Sequence, residues 1–230
     1  MTPTRVEIIE LTDGRSVRLT IGEPDRAVRG GLVVLHEARG VTDVVRGLVS
    51  GLADEGWLAV APNLYGALRH DEVPAADVSR ELSRLSGDSV LADTDVAAVW
   101  LAQQGVATDR TGVIGFGLGG TAAMVVASSR TVGAAVSVAG SGILEPLADG
   151  LPALVDVAGG LVCPWLGIYG DQDSSTPADA VEKLRDAAAT AEVATDVVRF
   201  ADSDSRFDRD PDAGAEAWHR TLSWFDMHLR

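Results

Sequence analysis

From residue 30 onward, short unbroken apolar runs alternate with longer stretches of helical period. The runs at 31–35, 57–62, 111–116, 132–139, 162–169 and 195–200 have the length and composition of strands buried on both faces of a parallel sheet. Between them the spacing predicts helices over 43–55, 75–85, 89–104, 121–129, 177–191 and 212–230. On the first of these Val44, Val45, Leu48 and Leu52 share a face, Thr42 is placed to cap the start, and Gly56 ends it. On the helix over 89–104 the apolar positions are Leu91, Val96, Val99, Trp100 and Leu101. The stretch 140–160 is punctuated by Gly and Pro and predicts a loop with at most one helical turn. Before residue 30 the pattern changes to strict alternation at 5–11 and 16–21, separated by Thr12-Asp13-Gly14, which predicts an antiparallel hairpin at a sheet edge.

Strand and helix in regular alternation predict an α/β fold: a mainly parallel sheet with helices on both faces and an antiparallel N-terminal hairpin. No linker, repeat or low-complexity tract interrupts it, so 1–230 is expected to be a single domain. In such sheets the working residues lie beyond the carboxyl ends of the strands. Those tips are 36–40, 63–69, Gly117, 140–141, 171–175 and 201–209.

The stretch Val113-Ile114-Gly115-Phe116-Gly117-Leu118-Gly119-Gly120 bears most on chemistry. An apolar strand passes through an abrupt turn into an apolar helix. This is the frame of a nucleophile elbow, G-x-S-x-G, which lifts a Ser or Cys above a parallel sheet. The flanking glycines are present, but the nucleophile position holds Gly117, which has no side chain. Ser141 and Thr121 are hydroxyls nearby without an evident base, and Cys163 is expected to be an inert buried thiol. His70, in a strand-exit loop, is a possible replacement base.

Charge and composition narrow the field. Nineteen basic against 34 acidic residues give a net charge of −15, which argues against nucleic acid and anionic membrane surfaces as partners. With one cysteine there is no internal disulfide, and no secretory leader or membrane span is evident, so a cytoplasmic location is expected. No H-x-x-x-H or C-x-x-C spacing occurs, so neither a metal site nor a cofactor is expected.

Five segments in this order resemble the dienelactone hydrolase family of the α/β-hydrolase superfamily. They are Leu35-His36-Glu37-Ala38-Arg39-Gly40, Ala61-Pro62-Asn63-Leu64-Tyr65-Gly66, Ile114 to Gly120, Cys163-Pro164-Trp165-Leu166-Gly167 and Ala217-Trp218-His219-Arg220. The resemblance runs from about residue 29 to the C-terminus. It implies an α/β-hydrolase fold and a Cys-His-Asp triad. The Cys position is Gly117 and the His position is Ser205, both substituted; the Asp position is retained as Asp173, with Asp171 the weaker register. It also implies a strand-tip carboxylate at Glu37, half-buried beside the elbow, and an oxyanion hole from the backbone N–H groups of Ala38 and Leu118. Arg209 stands at a position that binds substrate carboxylate, and Arg39, Tyr65 and Arg206 are further candidates to line the pocket.

The sequence therefore predicts a dienelactone hydrolase-like protein without its acyl-transfer nucleophile and base. It is expected to bind a small anionic or carbonyl-bearing ligand, such as a carboxylate or lactone, at a retained oxyanion hole. Two alternatives stand beside this. One is altered chemistry (isomerase, lyase or cyclase) with Glu37 or His70 moving a proton; the other is weak lactone or ester hydrolysis. Oligomeric state is open.

Overall fold

A computed structural model describes residues 2–66, 71–204 and 210–229. Eight strands form one sheet in the order β1-β2-β4-β3-β5-β6-β7-β8. The N-terminal hairpin, β1 (Thr4–Glu10) and β2 (Ser16–Gly22), is antiparallel, and β2 also pairs antiparallel with β4 (Leu58–Pro62). β3 (Gly31–Leu35), β5 (Thr111–Phe116), β6 (Ala134–Val138), β7 (Trp165–Gly170) and β8 (Thr195–Phe200) continue the sheet in parallel with β4. The central strands β3, β4, β5, β6 and β7 are buried along almost their whole length, as continuous apolar runs require.

Two apolar clusters, one on each face, hold the helices to the sheet. One contains Val33, Val113, Met124, Trp165 and Leu184 and lies under α3 (Gly87–Gln103), α4 (Leu118–Ala127) and α6 (Ala178–Ala188). The other contains Leu32, Ile114, Val136, Leu52 and Phe225 and lies under α1 (Asp43–Asp54) and α7 (Pro211–His228). This is the α/β-hydrolase arrangement, and no helix among the described residues is long and apolar enough to cross a membrane.

Several local expectations are corrected. Val44 and Val99 point to solvent; α1 buries Val45, Val49 and Leu52, and α3 buries Val90, Ala97, Trp100 and Leu101. Thr42 stands at the N-cap of α1 but its side chain makes no capping bond. α3 begins at Gly87 because Ser86 and Ser89 form a reciprocal capping box. The helix expected over 75–85 is a 3₁₀ turn (Ala75–Asp77) followed by the short α2 (Val78–Leu82). The one helical turn allowed within 140–160 is α5 (Leu154–Ala158). Strands β4, β6 and β7 are shorter than their apolar runs, so Trp57, Val132 and Cys163 lie just outside them.

Candidate functional site

β5 ends at Phe116 and α4 begins at Leu118, so Gly117 makes the whole turn. It holds φ +53° and ψ −116°, a conformation that residues with a Cβ rarely adopt. Its N–H donates to the Val138 carbonyl at 2.9 Å, and its carbonyl accepts from the Thr121 N–H at 3.1 Å. The neighbouring glycines are required by close packing. A Cβ on Gly115 would overlap the Gly119 carbonyl, and one on Gly119 would overlap the Leu35 carbonyl. A Cβ on Gly120 would lie 2.8 Å from the Val138 carbonyl oxygen. The start of α4 is thereby pressed onto the tips of β3 and β6. At Gly117 the situation is opposite: among the described residues the nearest atom to a Cβ there would be Glu37 Cγ, at 4.0 Å.

The β3 tip is fixed from the side. His36 is fully buried. Its Nε2 accepts from the Leu64 N–H at 2.9 Å, which places the proton on Nδ1, donated to the Glu37 carbonyl at 2.7 Å. Burial depresses the imidazole pKa to about 4, so the ring is neutral near pH 7. The Tyr65 hydroxyl donates to the Ala38 carbonyl at 2.7 Å, and its ring stacks obliquely on His36 at 5.2 Å. The carbonyls of Glu37 and Ala38 are thus both tied down, Glu37 also accepting from the Gly40 N–H at 2.9 Å. Among the described residues neither the Ala38 N–H nor the Leu118 N–H donates to a protein acceptor.

Asp173 lies in the loop after β7, nearly buried. Its carboxylate accepts from the Ser175 N–H at 2.8 Å, the Ser175 hydroxyl at 2.7 Å and the Thr176 hydroxyl at 3.1 Å. Its hydrogen-bonding capacity is thus used largely within its own loop. Asp171 instead pairs with Arg199 at 2.7 Å.

Some expectations change. Glu37 is exposed, not half-buried. Arg39 reaches Glu72 at 3.6 Å. The Tyr65 hydroxyl is committed to the Ala38 carbonyl, so it acts as a strut for the β3 tip. The Thr121 hydroxyl donates to the Ser141 carbonyl at 2.6 Å within a fully buried setting, so it is not a free nucleophile. Cys163 is buried, and desolvation pushes its thiol up to about 12. His70, Ser205, Arg206 and Arg209 lie outside the described residues. No group of three or more His, Cys, Asp or Glu among the described residues could hold a metal ion.

The structural role expected of His36 from its place beside Glu37 is the one it has. Two further supporting residues escaped the sequence reading. Ser137, inside β6, donates to the Gly120 carbonyl at 2.8 Å and accepts from Trp165 Nε1 at 2.9 Å, which ties the elbow helix to β6 and β7. A lone serine in an apolar run was its signal. Ala139, at the β6 tip, holds φ +50°, a strained conformation for alanine that nothing in the sequence announces.

The dienelactone hydrolase family model matches residues 17–229. The chain belongs to the dienelactone hydrolase family. A protein of Salmonella typhimurium with the provisional name carboxymethylenebutenolidase is 32% identical over 208 residues, covering 86% of this chain and 77% of that protein. The carboxymethylenebutenolidase of Pseudomonas putida is 29% identical over 148 residues, covering 60% and 62%. Among solved structures, a protein of Klebsiella pneumoniae provisionally named a dienelactone hydrolase superposes with a TM-score of 0.85 at 29% identity, covering 97% of this chain and 98% of that one.

Proposed function

We propose that this dienelactone hydrolase family member binds a small anionic or carbonyl-bearing ligand at the Ala38 and Leu118 N–H groups and does not carry out acyl transfer. The observation that carries the reading is Gly117: a residue without a side chain holds the elbow turn, with, among the described residues, only Glu37 Cγ within 4 Å of where a Cβ would stand, and two undonated N–H groups. Backbone donors at the N-terminus of a ten-residue helix attract negative charge whatever side chains surround them. A nucleophile has no such independence, since it needs a reactive atom and a base. Gly117 offers no such atom, Asp173 is occupied by Ser175 and Thr176, and the resemblance puts Ser205 where the family carries its histidine. The relatives are named for a butenolide lactone carrying a carboxymethylene group. That supports a carboxylate or lactone as the ligand class, and the acidic chain supports a small molecule over nucleic acid.

A second reading is favoured by one contact. Glu37 Cγ faces the space above Gly117, so its carboxylate could move a proton for a ligand whose oxygen is held by the N–H pair. This would make the protein an isomerase, lyase or cyclase, with His70 an alternative base. The weak hydrolase stands third. Stopped-flow reaction with p-nitrophenyl acetate, with intact-mass analysis, separates these readings from acyl transfer. No p-nitrophenol burst and no acetyl adduct are expected; a burst stoichiometric with protein and an adduct on the chain would refute the proposal.

A further inference from the structure

An open cavity of about 390 Å³ lies between the β1–β2 turn, the exit of β4, α2 and α3. Its lining includes two arginines, Arg15 and Arg84, together with Leu64, Tyr65, Glu81, Leu85 and Asp93. Two of these are carboxylates taken almost wholly out of solvent: Asp93 is 2% exposed and Glu81 6%. Glu81 has two partners, Arg80 and Arg84, each at 3.2 Å. Asp93 has far less. Its Oδ1 meets Arg15 Nη1 at 3.4 Å, and its Oδ2 has no partner among the described residues. Arg15 is itself half-exposed and bonds more closely to Asp13, at 2.9 Å. Desolvation accordingly raises the Asp93 pKa to about 6, against the lowering effect of Arg15.

A buried carboxylate with one long contact is costly, and an arriving cation relieves that cost. We propose that this cavity is a binding site for a primary alkylammonium group, held by Asp93 with Glu81 beside it, its alkyl chain packed between Leu64, Leu85 and the Tyr65 ring. The volume, and walls that mix charged side chains with Leu64, Leu85 and the Tyr65 ring, suit an organic cation better than a metal ion, which would need more oxygen ligands than two carboxylates. The Tyr65 ring adds a favourable face for a cation. Its hydroxyl holds the Ala38 carbonyl, so the same residue walls this cavity and braces the β3 tip. The site is independent of the ligand proposed at Gly117 and stands or falls separately.

The test is amide NMR titration of the full chain with n-butylammonium chloride, with n-butanol as neutral control and calcium chloride as metal control. Saturable shifts at 64–66 and 89–93 are expected, with a dissociation constant of roughly millimolar order. Asp93→Asn, nearly isosteric, should weaken binding by about tenfold or more. Arg15→Ala removes the internal competitor from an exposed turn and should strengthen binding severalfold, which fixes the sign of the recognition even if Asp93→Asn folds poorly. No saturable shift, equal binding by Asp93→Asn, weaker binding by Arg15→Ala, equal shifts with butanol, or competition by calcium would each overturn the proposal.

Discussion

Gly117→Ala isolates what the elbow turn costs. Among the described residues the added methyl would find only Glu37 Cγ, at 4.0 Å, so they contribute no crowding. What remains is the backbone: φ +53° with ψ −116° is a sparse conformation for any residue with a Cβ, at a cost of about 1–3 kcal/mol. Alanine also narrows the unfolded ensemble, which offsets about 0.4–1 kcal/mol. The net loss should be about 1–2 kcal/mol, or about 2–8 °C in Tm for a chain of this size. Urea unfolding at constant m-value measures it. Gly119→Ala is the steric comparison: its Cβ would overlap the Leu35 carbonyl, so the loss should exceed about 4 kcal/mol or abolish folding. If Gly117→Ala matches or exceeds the wild type, the turn is an ordinary one, and the claim that the elbow frame persists without its nucleophile fails.

Other consequences follow from buried groups. Tyr169 is fully buried and its hydroxyl has no partner among the described residues, so Tyr169→Phe should raise stability by about 1 kcal/mol in the same urea assay. His36, with its folded pKa lowered to about 4, stays neutral while the unfolded chain takes up a proton near pH 6.5. Its contribution to stability is therefore complete above pH 6.5 and fades as pH falls to about 4, and its imidazole NMR signals should titrate with a midpoint near 4. Asp93 has the opposite sign: its pKa of about 6 favours folding below the unfolded value of 3.8, and that contribution is lost as pH rises through 6, so Asp93→Asn should flatten stability over that window. Cys163 should resist a thiol reagent in the native state and react only on unfolding, at the unfolding rate or slower; rapid native labelling would contradict its burial.

The sheet and the elbow were legible because both rest on short-range patterns. Five-residue apolar runs bounded by turn residues and rich in β-branched side chains, such as Gly31–Leu35, read as buried strands, and Gly115, Gly119 and Gly120 mark close backbone approaches. Helix faces were less legible. Val44 and Val99 fit an apolar stripe equally well on paper, but in the fold both are exposed while Val45, Val49 and Val90 are covered. The site divides in the same way. The left-handed turn at Gly117 follows from the motif. The neutral brace of His36 and Tyr65 depends on contacts between segments distant in the chain, whereas Asp173 is occupied by hydroxyl and N–H groups two and three residues further along its own loop. Ser205 and Arg209 carry much of the sequence argument, and both lie outside the described residues.

The central claim is that the N–H groups of Ala38 and Leu118 still receive an oxygen where the nucleophile is gone. A crystal structure of the protein soaked with a butenolide carboxylate tests it most directly. The account predicts a ligand oxygen within hydrogen-bond distance, about 2.7–3.1 Å, of both nitrogens, and no covalent bond to the chain. A protein side chain filling that position, or the ligand bound elsewhere with both N–H groups turned away, would contradict it.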